Sequence, residues 1–235
     1  MRRLMQRLWD DAESGYRSRL LASLPRREGQ WLLDVGCDDG GWTDELRLAM
    51  GITPDHVIGI EIFEERADIA RSRGFDVRFG DLEAAWPVSD GEMDVVHANQ
   101  VIEHVKRLDH FVTETWRALK PGGVTVVCTE NLASWHNVAA LAAGYQPFSE
   151  TNISARRPIG NPLALHAGES NPWESWQHIH VLTWYALRDL YRAHGFVVEQ
   201  AWGAGYHPAW GRAARFLARR DPRHAHFIGV VARRP

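Results

Sequence analysis

The segment DVGCDDGG (34–41) follows an apolar run with a bend that contains Gly36 and Gly40. Glycine lets a backbone pass close to a ligand because no Cβ intrudes. A helix opening just beyond such a bend presents free N–H groups that can receive a carboxylate. About twenty residues on, Glu61 ends a second apolar run, where an acid can accept hydrogen bonds from both hydroxyls of a ribose. FGDLE (79–83) brings Asp81 to the end of a third run, placed to accept from an exocyclic amine such as that of adenine. HANQVIEHV (97–105) brings Asn99 and Gln100 to the end of a fourth, where polar groups can hold an amino-acid tail. Plainer roles stand beside these: Asp34 can simply cap the loop, and Glu61 can be a surface acid.

The glycine spacing narrows the ligand. A dinucleotide fingerprint takes Gly at its first, third and sixth positions. The third position here is Asp38, so a pyrophosphate would meet a side chain and a negative charge. A zwitterionic sulfonium carries no pyrophosphate and tolerates an acid nearby. A nicotinamide-dinucleotide enzyme is therefore disfavoured. Histidines supply the candidates for proton transfer: His104 after the fourth run, His136 after the fifth, and His178 and His180 in QHIHV. Alternate spacing on an extended segment turns the last two the same way. Each can equally be a structural histidine bonded to backbone.

The elements that must position these residues alternate. Residues 3–23 have helical spacing, ended by Pro25. Strands are expected at 31–36, 56–62, 75–79, 93–98 and 124–129, and helices at 43–50, 64–71 and 107–119, with LysProGlyGly (120–123) as a turn. That alternation means βαβ units and a parallel sheet. In such a sheet ligands bind outside the carboxyl ends of the strands, where the glycine bend and the acids fall. Residues 131–177 show no clear period. A helix resumes at 183–194, with Thr183 as N-cap and Gly195 as its stop. The last two strands are expected at 196–200 and 226–232, with a short Arg-rich helix between them in 203–224.

The 235 residues suffice for one α/β domain, divided as an N-terminal helix (1–25), a ligand-binding half (30–130), an insert or lid (131–182) and a C-terminal half of the sheet (183–235). A net charge of −3 gives no reason to expect DNA binding. Arg212, Arg215, Arg219, Arg220, Arg223, Arg233 and Arg234, against Asp221 alone, offer either a solvated basic face or a face for an anionic partner. Cys37 and Cys128 form no metal-type pair and are too few for a disulfide framework, which suits a cytoplasmic protein. No segment has the length and apolarity of a signal peptide or a transmembrane span.

The pieces LLDVGCDDG, IGIE, FGDLE, MDVVHANQVIEHV and LKPGGVTVV occur in an order and at roughly a spacing that resembles the class I S-adenosylmethionine-dependent methyltransferases, in their small-molecule branch with the ubiquinone-pathway enzymes. They cover about residues 30–130, with a weaker echo in 178–196. The resemblance implies S-adenosylmethionine as cofactor, with Asp34, Gly36, Cys37 and Gly40 around its methionine part. It implies Glu61 and Ile62 at the ribose, Asp81 and Leu82 at the adenine, and Asn99 near the methionine tail. It also implies a Rossmann-like sheet of seven strands, the last antiparallel, with helices on both faces. The family's loop often reads Gly-Cys-Gly, and Asp38 departs from that. Glu103, His104 and His180 resemble part of the metal cluster of small-RNA 2′-O-methyltransferases, Glu-x-x-Glu-His. Gln100 stands where its first Glu would be, and a neutral amide is a poorer ligand for a hard cation, so no metal is expected.

Methyl transfer from a sulfonium is a direct displacement with a neutral leaving group, so positioning and desolvation supply much of the rate. A base is needed only when the acceptor must lose a proton, as a hydroxyl must. His104 and His180 are the candidates for that role. The insert carries Trp135, Tyr145, Phe148, Trp173 and Trp176 among Asn137, Asn152, Arg156, Arg157 and His166. Aromatic faces among amides and arginines suit a sugar or a planar ring, or simply glue an irregular segment to the sheet. The segments NLASWHN (131–137), YQPF (145–148) and GYHP (205–208) resemble bacterial glycan and natural-product methyltransferases. A small-molecule or sugar hydroxyl is the expected acceptor. An RNA or protein methyltransferase, or a cofactor-binding partner subunit without turnover, remains the alternative.

Overall fold

A computed structural model describes residues 2–170 and 177–235. Seven strands form one sheet: β1 (Leu32–Val35), β2 (Val57–Glu61), β3 (Asp76–Phe79), β4 (Met93–Asn99), β5 (Leu119–Glu130), β6 (Val197–Ala204) and β7 (Phe227–Arg233). Their order is β3-β2-β1-β4-β5-β7-β6. The pairings among β1 to β5 are all parallel, and β7 runs antiparallel between β5 and β6. The helices are α1 (Arg2–Ser23), α2 (Gly41–Met50), α3 (Glu64–Ser72), α4 (Leu108–Ala118), α5 (Trp135–Ala142), α6 (Trp184–Ala193) and α7 (Gly211–Arg220).

β1 and β2 are buried along their whole length, as their unbroken apolar runs require of strands covered on both faces. Period-two alternation sorts their side chains. Leu33, Val35, Ile58 and Ile60 pack against Phe111 and Val112 of α4 and Leu187 and Tyr191 of α6. Leu32, Val57, Val77 and Val95 pack on the opposite face with Ala12, Tyr16 and Leu20 of α1, Leu46 of α2 and Ala67 of α3. The chain runs outward through β1, β2 and β3, then returns to place β4 on the other side of β1. A crevice opens at that reversal, outside the carboxyl ends of β1 and β4.

Two elements differ from the sequence expectation. LysProGlyGly (120–123) is not a free turn but part of β5: Leu119 already pairs with Met93, and the register shifts before Val95. The residues read as a turn form an irregularity inside a continuous strand. The insert, which shows no period, contains α5 and a 3-10 segment, Phe148–Ile153. α5 is 8 residues long and buries only Asn137 and Ala140, so a polar residue occupies its inward side and conceals the apolar stripe.

The Arg-rich helix falls where expected, as α7. Arg233 pairs with Glu199 and the Gly122 carbonyl, while Arg234 donates to the Trp116 and Leu119 carbonyls. These two are therefore engaged by the chain itself. Arg215 and Arg219 line a groove between α1 and α7. Among the described residues no helix is long and apolar enough to cross a membrane.

Gly229 of β7 is a packing point. A Cβ there would lie 2.2–2.7 Å from the ring of buried Trp202 on neighbouring β6. Gly229→Ala is expected to cost about 1–3 kcal/mol, the usual penalty for forcing volume into a filled core. A lower urea midpoint with an unchanged slope is the expected readout; an unchanged midpoint would contradict the packing.

Candidate functional site

A cleft of about 580 Å³ lies at the ends of β1 to β4, lined by Gly36, Glu61, Ile62, Asp81, Leu82 and Gln100 among others. Gly36 has φ +70°, and a Cβ on it would meet Val101 Cγ2 at 2.8 Å. Only glycine turns the chain here without a clash. Glu61 is 7% exposed. Its Oε1 accepts from the Ile62 and Phe63 amides at 2.9 Å each, and its Oε2 from the Asp38 amide at 3.0 Å. The carboxylate thereby ties the loop after β1 to the loop after β2. Three of its roughly four acceptor sites are filled, which leaves one for a ligand hydroxyl. Asp81 folds an Asx turn, accepting from the Glu83 amide at 2.9 Å. Ile62 and Phe63 keep large apolar side chains exposed at the cleft, a surface suited to the face of a planar ring.

Asp38, the residue out of keeping with the family's loop, adopts φ +49°. Asp visits this left-handed region more readily than most residues. Its carboxylate pairs with Arg66 at 2.6 Å, and both residues line the cleft. Gln100 is the second non-glycine residue with positive φ, +56°. Such backbone conformations cost free energy and gather at ligand sites.

The structure directs several expected contacts elsewhere. Asp34 is buried, accepting from Thr43 Oγ1 at 2.5 Å and pairing with His97 Nδ1 at 2.8 Å. It braces β1 against α2 and β4 and does not line the cleft. The Cys37 thiol packs toward Gly59 of β2, and burial raises its pKa above the ordinary thiol range. Gly40 sits at the N-terminus of α2 with φ +74°, and a Cβ there would crowd Ala70 and Phe75 at 3.0–3.1 Å. The Gly41 amide of that N-terminus is occupied by Asp39 at 2.8 Å. Asn99 turns toward Tyr16, with its Oδ1 buried and unpartnered. Gln100, not Asn99, lines the cleft, with its Nε2 donating to Cys128 Sγ at 3.9 Å. His180 is not among the residues lining it, and its Nε2 bonds the Lys106 carbonyl at 3.1 Å. His178 and His180 therefore do not act on one side, because the segment is irregular rather than extended.

A second cavity, of about 410 Å³, shares Gln100 and His104 with the first. α1 contributes Trp9 to it, β5 contributes Glu130, and the insert contributes His136, Phe148 and Asn152. Of the remaining insert residues, His166 lines it, whereas Trp135 donates to Tyr206 Oη at 2.7 Å and stacks on His224. Asn137 bonds the Asn131 carbonyl and Ser149. Tyr145, Arg156 and Arg157 are exposed, and Trp173 and Trp176 lie outside the described residues.

At the junction His104 Nδ1 lies 3.0 Å from the Gln177 carbonyl. A carbonyl only accepts, so Nδ1 carries the proton and Nε2 is bare. Burial, reinforced by His178, holds this imidazole's pKa down at about 4. Glu103 is fully buried, and burial pushes its carboxyl up to about 7. Its Oε2 accepts from Thr129 Oγ1 at 2.9 Å, and its Oε1 has no partner. His178 Nδ1 donates to the Ser149 carbonyl at 2.5 Å and lies 3.8 Å from Glu130 Oε2. Burial lowers its pKa, but Glu130 and Glu103 outweigh that and raise it. Ligating atoms of Glu103, His104 and His178 lie within 4.8 Å of one another. His178 thus stands where the sequence suggested His180. Glu103 was legible only as a would-be metal ligand; its burial and its unpartnered oxygen are tertiary facts.

A family model described as a methyltransferase domain matches residues 1–201. Trans-aconitate 2-methyltransferase of Variovorax paradoxus is 28% identical over 214 residues, covering 87% of this chain and 79% of that protein. Ubiquinone biosynthesis O-methyltransferase of Sinorhizobium fredii is 34% identical over 138 residues, covering 57% of this chain and 52% of that protein. The match spans 35%, 40% and 56% of the length of three further curated relatives. A methyltransferase solved in complex with the Haloferax volcanii Trm112 methyltransferase activator superposes with a TM-score of 0.64 at 18% identity, over 98% of this chain and 94% of that one. It shares the fold. With its strand order, its cleft at the sheet reversal and a family match over most of its length, the chain belongs to the class I S-adenosylmethionine-dependent methyltransferases.

Proposed function

We propose that the chain transfers the sulfonium methyl of S-adenosylmethionine to an oxygen of a small polar molecule held in the second cavity. The observation that carries this is the meeting of the two cavities at Gln100 and His104. In this reading the adenosyl group lies against Ile62, Asp81 and Leu82, its ribose bonds Glu61, and the methionine part passes Gly36 and ends at Gln100. The methyl group then points at the mouth of the second cavity. The acceptor oxygen attacks the methyl carbon, the carbon–sulfur bond breaks, and the sulfur leaves as a neutral thioether. The hydroxyl proton passes to Glu103 Oε1, whose pKa near the working pH suits a general base. His104, with a bare Nε2 but a conjugate acid near 4, is too weak a base for that step and instead accepts a hydrogen bond that orients the hydroxyl.

A cavity of about 410 Å³ walled by α1 and the insert matches the size of small-molecule sites. It favours a compact acceptor over a folded RNA or protein, and an open acceptor site argues against a partner subunit without turnover. Relatives named for ubiquinone biosynthesis and for trans-aconitate support the same class. Labelled S-adenosylmethionine offered with sugars, phenols, hydroxy acids and short RNAs is expected to label a small hydroxylated compound. Label on RNA alone would contradict the assignment.

A further inference from the structure

One wall of the acceptor cavity carries chemistry that methyl transfer does not use. His136 opens α5, His207 follows β6, and His226 immediately precedes β7. Three distant segments converge there: the ring centroids of His136 and His226 are 4.5 Å apart, those of His207 and His226 4.5 Å, and those of His136 and His207 5.0 Å. One nitrogen from each ring lies within 4.8 Å of the other two. His226 Nδ1 and His207 Nε2 are 3.4 Å apart, and His207 Nε2 also faces the Leu8 carbonyl at 3.1 Å. His136 Nε2 has a long contact with Ser134 Oγ at 3.5 Å, while its Nδ1 is shut off from solvent with no hydrogen-bond partner.

His136 Nδ1 is left unpaired, which costs about 1–3 kcal/mol for a buried polar atom and is not expected of a ring packed only to fill space. The separations instead match a coordination set. Imidazole nitrogens bind zinc-class ions at about 2.0–2.1 Å, which places ring centroids about 4.5–5.2 Å apart for bond angles from octahedral to tetrahedral. Burial disfavours the charged form of all three rings; the Leu8 carbonyl now holds a proton on His207 Nε2, which moves to Nδ1 or leaves when that nitrogen binds an ion. With three imidazoles and no carboxylate in the set, the site suits a borderline transition metal rather than calcium or magnesium.

We propose that His136, His207 and His226 hold a divalent transition-metal ion of the zinc class, with its remaining coordination positions open to the acceptor cavity. Three protein ligands and an open position are the arrangement of a catalytic rather than a structural site. Loading turns the rings so that their nitrogens, now within 4.8 Å of one another, come to about 2.9–3.4 Å, and it releases His207 Nε2 from the Leu8 carbonyl. The ion then takes an oxygen of the acceptor, fixing its orientation and making a hydroxyl easier to deprotonate. That role rests on the proposed methyl transfer; metal binding itself does not.

The test uses the full chain, stripped with a chelator and titrated with Zn²⁺ by calorimetry and with Co²⁺ by its visible absorption. One ion per chain is expected, bound at micromolar or tighter affinity. His136→Ala and His226→Ala are each expected to weaken binding at least tenfold, whereas His178→Ala, which breaks the neighbouring Glu103–His104–His178 group, leaves it unchanged. S-adenosylhomocysteine binding checks that each variant is folded, and His136→Gln, His226→Gln or His178→Gln replaces the alanine variant at its own position if that one is not. Absence of stoichiometric binding, or loss of binding in His178→Ala with retention in His136→Ala, would overturn the assignment. A chain that binds the ion but methylates no hydroxyl would sink the proposed reaction and leave this site standing.

Discussion

Glu61→Ala is expected to weaken S-adenosylhomocysteine binding about 10- to 100-fold, measured by calorimetry. A hydrogen bond to a charged acceptor contributes about 1.5–3 kcal/mol, which is this range on a scale of 1.36 kcal/mol per decade. A second contribution comes from the protein itself. The Asp38, Ile62 and Phe63 amides all lose their acceptor, so the loops after β1 and β2 lose their common anchor. Glu61→Gln separates the two effects. It keeps an acceptor oxygen for the loops but loses the charge at the ribose, and an intermediate loss is expected. If Glu61→Ala binds as the parent does, the ribose is not at β2 and the cofactor assignment fails with it.

Glu103→Gln is expected to lower kcat by about 10²–10⁴-fold, the usual contribution of a positioned general base. In the parent, kcat rises with pH up to about 7, where the carboxyl ionises; that limb disappears in the variant. Stability moves the other way. The folded carboxyl titrates near 7, above the ordinary glutamate value of about 4.3. The folded chain therefore holds a proton that the unfolded chain has released, and parent stability falls as pH rises between those values. Above about pH 7 the parent has lost on the order of 3 kcal/mol that a neutral glutamine retains. Thermal melts at pH 4 and pH 8 are expected to show the variant gaining at the higher pH only. A variant that is slower at pH 8 and also less stable there would mark Glu103 as a structural acid.

The sheet was legible because parallel strands buried on both faces write continuous apolar runs, and WLLDVG and HVIGIEI could hardly be anything else. The adenosyl half of the site was legible for a related reason. Glu61, Asp81 and Leu82 stand at strand ends, where topology alone brings them to one rim. Residues one step from those ends were harder. Whether Asp34 or Gly36, Asn99 or Gln100, meets the cleft depends on backbone turns such as the positive φ of Gln100, which no periodicity encodes. The acceptor side was least legible. Its walls come from α1, the insert, β5 and the segment after β6, and His136, His207 and His226 are too far apart in sequence for spacing to unite them. Asn137, polar and buried on α5, hid a helix that would have announced the insert as ordered.

A structure with S-adenosylhomocysteine bound tests the central claim most directly. The ribose should meet Glu61, the adenine should lie between Ile62 and Leu82, and the sulfur should sit at Gln100 and His104, facing the cavity that holds Glu103. A sulfur directed to open solvent, or a ligand lodged in the histidine-lined cavity, would contradict it.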